Sequence, residues 1–305
     1  MEKVKMTRKK SSFCYTPEQL PLAFLQGEYE QIYAQTSPAF RKRVSAAELR
    51  SLGEDFHRGV DRYKLQSTIL LEHAKRYVWV DGSGEKGLAA AFDEEGTIIS
   101  LVILHLETHP ETDSMLTRTV FVPPFAGEWL TYWGGHNELV NYHYAYPNQR
   151  YAFDFLVMKE GRTFTGDPAA NESYYAFGQP ILAPAFGKVV GVASHIPDNT
   201  PVGTVNETQP AGNHVILEHE AGEYSLLAHL KQDSVCVEVG DCVQPGDLIG
   251  LCGNSGNSSE AHLHFQVSDS PVLLSGHSIP VRFQDGRRIV QGQLVSGPDR
   301  RSEIE

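Results

Sequence analysis

From Phe121 onward the chain consists of short apolar runs separated by turn residues, and this pattern limits what its second half can fold into. The runs are rich in Val, Ile and Leu and are interrupted by Gly, Pro and Asn, with almost no helical periodicity. Two Gly-Asp pairs, at 240–241 and 246–247, mark tight turns between such runs. Short strands joined by tight turns are typical of barrels and sandwiches, so we predict an all-β half-barrel for this part of the chain.

The first half has a different residue pattern, which predicts two helices followed by an antiparallel sheet. Residues 16–19 (TPEQ) combine an N-cap hydroxyl, a Pro at the first helical position and a Gln at the third, which predicts a helix over about 16–33. Residues 45–48 (SAAE) form a second capping box and predict a helix that ends near Gly59. Strands are predicted at 63–71, 77–80, 87–92 and 97–106, with a hairpin turn at 93–96. We therefore expect an α+β layer.

Residues 20–106 also resemble a known class of small domain. The patterns at 24–29 (FLQGEY) and 37–40 (SPAF) are similar to the cystatin-like or nuclear-transport-factor-like cone domains that precede some bacterial peptidases. The resemblance implies an α+β cone with two helices on an antiparallel sheet. The histidines of this half are scattered along the sequence, so we expect no catalytic site in it.

Shifts in composition divide the chain into five segments. Residues 1–15 begin with a basic run and are predicted to form a flexible N-terminus, and the α+β domain follows at 16–108. The polar, Pro-containing sequence after His109 indicates a linker, which we place at 109–127. The β domain is predicted at 128–290, and residues 291–305 are predicted to form a polar tail.

The charge balance excludes one class of partner. The 305 residues contain 26 Lys and Arg against 38 Asp and Glu, a formal net charge of −12. Phosphate binding needs a surface of clustered Lys and Arg, and no stripe of such residues occurs after residue 10, so we expect no nucleic-acid partner. No apolar run approaches the roughly 20 residues that cross a bilayer, so no membrane span is expected. The four cysteines form no Cys-x-x-Cys pair and are expected to be free thiols.

The compartment is less constrained by the sequence. Residues 11–19 are polar and contain a Pro, where a secretory signal would have an apolar core. The sequence as written therefore predicts a cytoplasmic protein, or a cell-wall or extracellular one if another route exports it. The sequence leaves the oligomeric state open.

Two histidines in the run 261–267 (AHLHFQV) are the strongest indication of chemistry. Residues two apart on a strand point to the same face at a spacing of about 6.5–7 Å, so His262 and His264 face one space while their neighbours pack behind them. A third histidine, His229, lies upstream in the strand-like run 224–230 (YSLLAHL). Imidazoles suit both metal binding and acid-base work near neutral pH.

These residues and several further segments resemble the lysostaphin-like zinc endopeptidases of peptidase family M23, which cut peptide cross-links of bacterial cell walls. The further segments are 175–178 (YAFG), 183–190 (APAFGKVV), 212–217 (GNHVIL) and 255–260 (SGNSSE). The resemblance implies Zn²⁺ as cofactor and peptidoglycan cross-links or small-residue-rich peptides as substrate. It makes His264 a zinc ligand and makes His229 and His262 the catalytic histidines.

The family's remaining zinc ligands are a His and an Asp four residues apart, and here the sequence departs from that pattern. Asp154 fits the Asp, but Arg150 stands in the position of the His and is always protonated. We predict His143 as the replacement, because Pro147-Asn148 signals a turn and strands on either side of it would bring His143 and Asp154 to one face. The arrangement is similar to a subgroup of the family in which Asn-Tyr-His precedes Gln-Arg-x-Ala-x-Asp. Two alternatives stay open: His136 as the ligand, and a metal-free site.

Two other classes of protein fit parts of the sequence. A protein that keeps this fold but has lost its metal ligands would be a non-catalytic binder or a regulator of cell-wall hydrolysis. The retention of Asp154 and of the three downstream histidines argues against it. A biotinyl or lipoyl carrier also has paired turns, but it needs a Lys at its hairpin tip, where this chain has residues 252–255 (CGNS). We therefore favour a zinc-dependent endopeptidase.

Overall fold

The computed structural model describes residues 14–298. Within them the chain divides into two compact units. The first comprises the residues up to Gln66 together with His73–His105, and the second comprises Ser67–Glu72 together with the residues from Leu106 onward. Nearly all of the predicted N-terminal segment 1–15, and residues 299–305 of the predicted tail, lie outside the described residues.

In the first half of the described chain, four short helices precede four strands. The helices are α1 (Leu20–Leu25), α2 (Tyr29–Gln35), α3 (Pro38–Arg41) and α4 (Ala46–Phe56), and the strands are β1 (Tyr63–Leu71), β2 (Ala74–Asp81), β3 (Lys86–Asp93) and β4 (Ile98–His105). The strands form one sheet in the order β1-β2-β3-β4. Helix residues Leu20, Phe24 and Ile32 share one core with sheet residues Leu88 and Ile98. The predicted α+β class is confirmed, whereas the resemblance to cystatin-like domains stays a prediction.

The helix boundaries show where local signals decide the structure. Ser45 caps α4 as predicted, since its hydroxyl accepts a hydrogen bond from the Glu48 amide (3.2 Å) and its own amide donates to the Glu48 carboxylate (2.7 Å). The helix predicted over 16–33 is instead divided between α1 and α2. Gly27, between them, adopts a φ of +75°, which a right-handed helix does not contain.

In the described part of the second unit, strands joined by loops form most of the regular secondary structure. Its elements are α5 (Pro110–Asp113), β5 (Val120–Phe121), β6 (Glu128–Trp133), β7 (Phe153–Leu156), β8 (Pro180–Leu182), β9 (Gly187–Ala193), β10 (Asn213–Glu218), β11 (Tyr224–Leu230), β12 (Cys242–Val243), β13 (Leu248–Leu251), β14 (Leu263–Ser268), β15 (Arg282–Phe283) and β16 (Leu294–Ser296). Eight strands form one sheet in the order β12-β9-β10-β11-β14-β7-β6-β16, while β13 pairs with β8 and β15 with β5. The predicted all-β class is confirmed. No helix between residues 14 and 298 is both long and apolar enough to span a membrane.

Strand β14 lies inside the large sheet, between β11 and β7. Both pairings are antiparallel, and they place His264 opposite Ala228 on one side and opposite Asp154 on the other. Leu263 and Phe265 are fully buried in the core. Because neighbours on a strand face opposite ways, His264 projects from the other face of the sheet. The register of β14 therefore decides which side chains meet beside His264.

Two segments that the sequence placed outside the domains are corrected by the structure. In the predicted linker 109–127, Phe121 and Phe125 are fully buried in the core of the second unit, and β5 pairs in parallel with β15. In the predicted tail, β16 pairs with β6 and buries Val295. Local polarity indicated exposed segments, but pairing with strands distant in the sequence buries the few apolar residues that each segment has.

The capping box of α4 provides a test of the first unit. Ser45→Ala removes the oxygen that accepts the Glu48 amide, so we predict a loss of about 0.5–2 kcal/mol in the free energy of unfolding, measured by urea denaturation. Ser51→Ala, at an exposed position within α4, is the control and should cost less, because Ala favours a helix interior. A Ser45→Ala variant as stable as the wild type would contradict the capping role.

Candidate metal centre and active site

Three side chains with metal-ligating atoms, His143, Asp154 and His264, lie together in the second unit. One such atom from each lies within 4.8 Å of the other two, and all three residues are buried. His264 Nδ1 is 3.0 Å from Asp154 Oδ1, and His143 Nε2 is 3.7 Å from Asp154 Oδ2. Two imidazole nitrogens and a carboxylate oxygen in this arrangement could hold a metal ion.

The sheet itself places two of these residues. Asp154 lies on β7 and His264 on β14, and the two are register partners in the antiparallel pair. Residues directly opposite each other project to the same face, with Cβ atoms about 4.5–5.5 Å apart. Strand pairing alone therefore brings the carboxylate against the imidazole.

His143 reaches the cluster from a 3₁₀ turn, Tyr142–Ala145, rather than from a strand. Asn141 precedes this turn and is fully buried, and its Oδ1 accepts hydrogen bonds from the His143 amide (3.2 Å) and from His143 Nδ1 (2.9 Å). An amide oxygen can only accept, so Nδ1 carries the ring proton. Nε2 of His143 is thereby left with a lone pair on the side of Asp154.

The predicted strand hairpin between Tyr144 and Arg150 is wrong, because the 3₁₀ turn takes the place of its first strand. Arg150 is nevertheless tied to that turn, since its Nε donates to the Tyr144 carbonyl (3.1 Å) and its guanidinium lies 5.6 Å from the centre of the Tyr144 ring. Asn141 Nδ2 also donates hydrogen bonds to the carbonyls of Arg150 (3.2 Å) and Ala152 (3.1 Å). The residue that departs from the family pattern thus helps to fix the turn that carries His143.

The alternative ligand, His136, does not reach the cluster. Its Nδ1 is 3.6 Å from Asp113 Oδ1, and its ring lies against the rings of Tyr144 and Tyr151. The structure therefore brings His143, and not His136, to the other two donors. That His143 ligates a metal ion stays a prediction.

His264 is held by a residue that the sequence analysis did not single out. His264 Nε2 lies 3.0 Å from Gln266 Oε1, and Gln266 Nε2 donates to the Asn148 carbonyl (3.1 Å). This second bond orients the Gln266 amide, so His264 Nε2 donates to it and Nδ1 faces Asp154. Because residues two apart on a strand share a face, the spacing of Gln266 from His264 was a signal that could have identified it.

Two further imidazoles, those of His229 and His262, border the cluster. Their ring centres are 4.7 Å apart. His229 Nδ1 donates to the Ser255 carbonyl (2.8 Å), and His262 Nδ1 donates to the Glu260 carbonyl (2.8 Å). Both rings therefore carry the proton on Nδ1 and keep Nε2 as an acceptor. His262 Nε2 lies 3.7 Å from Asp154 Oδ1.

The backbone around His229 is unusual. His229 has a φ of +61°, and its amide donates to the Ala211 carbonyl (3.1 Å) while its carbonyl accepts from the Gly253 amide (3.0 Å). Gly212 has a φ of +58°, and a Cβ there would come within 2.4 Å of the Ser255 carbonyl oxygen, which accepts from the His229 ring. The position of this ring thus requires glycine at 212, which the sequence analysis included only in the family resemblance.

Burial and mutual proximity set the protonation of the site. Burial lowers the pKa of His143 to about 3 and holds the pKa of His229 well below its ordinary value, so both imidazoles are neutral at pH 7. Burial opposes ionisation of Asp154, but the adjacent histidines outweigh it and hold the pKa of Asp154 below its usual range. Burial also opposes protonation of His264, yet its bonds to Asp154 and Gln266 raise its pKa. A metal ion would take the place of the His264 proton that faces Asp154.

The site lies along an open groove of the second unit. One stretch of it is lined by both polar and apolar side chains, and the apolar ones include Tyr224, Leu226, Val272, Leu273 and Leu274. The other stretch is lined by, among others, Trp133, Val205, Glu260 and His262. Tyr142 and Asn257 line both stretches, so the groove passes directly beside the cluster.

Comparison with known families matches one segment of the second unit. Residues 173–279 match peptidase family M23. The matched segment contains His229, His262 and His264, whereas His143 and Asp154 precede it. The chain therefore contains a peptidase family M23 domain, and the resemblance that the sequence predicted is confirmed.

Known proteins are similar to part of the chain. An uncharacterized metalloprotease of Buchnera aphidicola is 32% identical over 85 residues, which cover 25% of this chain and 22% of that protein. The peptidoglycan DD-endopeptidase ShyB of Vibrio cholerae is 33% identical over 111 residues, 34% of this chain and 22% of ShyB. The matches thus span about a fifth of the length of these relatives. Among solved structures, the catalytic domain of lysostaphin from Staphylococcus simulans matches with a TM-score of 0.30 at 21% identity, over 50% of this chain and 86% of that domain.

The cluster predicts which histidine substitution weakens metal binding. His143→Ala removes one of three donors, so we predict that zinc affinity falls by more than about 100-fold, beyond the usual effect of losing a residue outside the ligand set. Competition with a chromophoric chelator measures the affinity. His136→Ala is the matched comparison and should weaken zinc binding far less, because the His136 ring packs against Tyr144 and Tyr151 but lies outside the three donors. Loss of zinc binding in His136→Ala but not in His143→Ala would reverse the assignment.

Proposed function

We propose that the protein is a zinc-dependent endopeptidase that cleaves peptide bonds in peptidoglycan cross-links or in peptides rich in small residues. The observation that carries the proposal is the meeting of His143, Asp154 and His264 beside two further histidines. Three of these five residues lie in the matched peptidase family M23 segment. The family match supports a peptidase. The proposal adds that the metal is zinc and that the substrate is peptidoglycan or a peptide rich in small residues.

The donor set fits zinc. Catalytic zinc sites use three protein ligands, with two histidines and one carboxylate among the known sets, and leave a fourth position open. Imidazole donors suit zinc, whereas Mg²⁺ and Ca²⁺ prefer oxygen. The other ring nitrogen of each imidazole donates a hydrogen bond to a buried side-chain amide oxygen, that of Asn141 or of Gln266. Metal-bound histidines usually donate this bond to a carboxylate, a backbone carbonyl or water, and the amide oxygen serves the same purpose here. His143 Nε2, the Asp154 carboxylate and His264 Nδ1 would hold the ion.

His229 and His262 would move the protons of the reaction. Zinc, when bound, supplies Lewis acidity, which polarises a carbonyl and makes water more acidic. Each of the two histidines has an Nε2 that can accept a proton from the attacking water, because Nδ1 donates to a backbone carbonyl. Once protonated, Nε2 donates a hydrogen bond to the developing oxyanion or passes the proton to the leaving amine. Two imidazoles 4.7 Å apart allow these tasks to be divided.

Two observations support the substrate class. The groove beside the cluster suits an extended peptide. The relative ShyB is named as a peptidoglycan DD-endopeptidase, and the chain shares with it 33% identity over 111 residues. Because peptidoglycan lies outside the cytoplasmic membrane, the proposal places the protein in the cell envelope.

The test separates metal binding from catalysis. We predict that His229→Ala and His262→Ala each retain zinc but lower turnover by about 10²- to 10⁴-fold, the range for a lost acid-base group. Amine release from purified peptidoglycan measures turnover, and chelator competition measures zinc. His195→Ala, at an exposed histidine paired with Asp233, is the control and should change neither quantity.

Two results would contradict the proposal. Zinc-loaded wild type that binds peptidoglycan but releases no amine from several wall types or small-residue peptides would indicate a non-catalytic binder. His229→Ala and His262→Ala variants as active as the wild type would show instead that neither histidine takes part in the reaction.

A further inference from the structure

Asp113 lies at the end of α5, in the stretch that the sequence indicated as a linker, and its carboxylate receives hydrogen bonds from two tyrosines. The Tyr144 hydroxyl lies 3.1 and 3.0 Å from its two oxygens, and the Tyr151 hydroxyl lies 2.8 Å from Oδ1 and 2.7 Å from the hydroxyl oxygen of the neighbouring Thr112. Both tyrosines are buried, and only 21% of the Asp113 side chain is exposed. Hydrogen bonds to an ionised, shielded acceptor are among the strong ones in proteins.

The two tyrosines belong to the two segments that carry donors of the candidate metal centre. Tyr144 follows His143 in the 3₁₀ turn, and Tyr151 lies in the run that leads into β7 and Asp154. The chain between the two segments turns through residues 146–150. A single carboxylate therefore joins the turn that carries one donor to the strand that carries another.

We propose that Asp113 is a positioning residue, which fixes the spacing of His143 and Asp154 that metal binding needs; this inference rests on the proposed function. Metal ligands have to be held within about 0.5 Å of their productive places by the residues around them. Without the carboxylate, the buried Tyr144 hydroxyl would have no acceptor among residues 14–298, which costs free energy unless the turn rearranges. A rearranged turn moves His143 with it.

The first test measures zinc affinity. Asp113→Asn keeps the shape of the side chain but loses its charge and one acceptor oxygen, so we expect zinc affinity to fall about 10- to 100-fold, the range for lost partners of metal ligands. Tyr144→Phe removes one of the hydrogen bonds to Asp113 and should also weaken zinc binding. Combined with Asp113→Asn, it should add little, because both changes remove the same interaction.

Glu223 offers a matched control in the same unit. It is a buried carboxylate that accepts hydrogen bonds from the amides of Arg118 (2.6 Å) and Thr119 (2.9 Å), neither of which lies in a donor segment. Glu223→Gln should lower the melting temperature and leave zinc affinity unchanged. A merely structural role for Asp113 would give that same pattern in Asp113→Asn.

A second readout needs no metal. In zinc-free protein, Asp113→Asn should speed amide hydrogen exchange in residues 142–146 and in residues 150–154 together, whereas Glu223→Gln should not. Wild-type zinc affinity in Asp113→Asn, an equal loss of affinity in Glu223→Gln, or unchanged exchange in the two segments would overturn the inference. A wild type that binds no zinc would overturn the proposed function, and the exchange result then decides whether Asp113 fixes these segments.

Discussion

The buried charge of Asp154 is the constraint on which the site depends. Burial of a carboxylate costs several kcal/mol unless nearby groups compensate for its lost hydration. Three histidines surround it at 3.0–3.7 Å: His143 and His262, which turn Nε2 towards it, and His264, whose Nδ1 donates a hydrogen bond to it. The pairing of β7 with β14 brings about the contact with His264, and a slip of one residue would turn His264 into the core and Phe265 towards the groove. The chemistry of the site thus rests on strand register.

Each histidine of the site has one ring nitrogen engaged by the surrounding fold. Side-chain amides engage the rings of the two proposed ligands, and backbone carbonyls engage the rings of the two proposed acid-base groups. Because each acceptor is fixed, the tautomer and the orientation of each ring are fixed as well. This difference in hydrogen-bond acceptors agrees with the proposed roles. A metal ligand needs a lone pair that points at the ion, whereas an acid-base group needs a nitrogen that can gain and lose a proton.

Local patterns in the sequence predicted much of this arrangement. They failed where a residue's position depends on contacts with residues far along the chain. Alternation along one extended run was sufficient to place His262 and His264 beside the same cluster, although His262 comes directly before the first residue of β14. His143 was predicted to join the site through a strand hairpin, which the structure does not contain. No local signal shows that a buried Asn141 will anchor a 3₁₀ turn instead. Asp113 and Phe121 read as linker residues, since their roles come from contacts with residues far along the chain. Sequence patterns thus predict strands and faces better than they predict the loops that complete a site.

The central claim is that His143, Asp154 and His264 bind one zinc ion. Anomalous diffraction at the zinc absorption edge, from crystals of the protein grown with zinc, tests it most directly. We predict one strong peak at about 2.0–2.2 Å from His143 Nε2, an Asp154 carboxylate oxygen and His264 Nδ1. A peak coordinated by His136, or no peak between β7 and β14 at full zinc saturation, would contradict it.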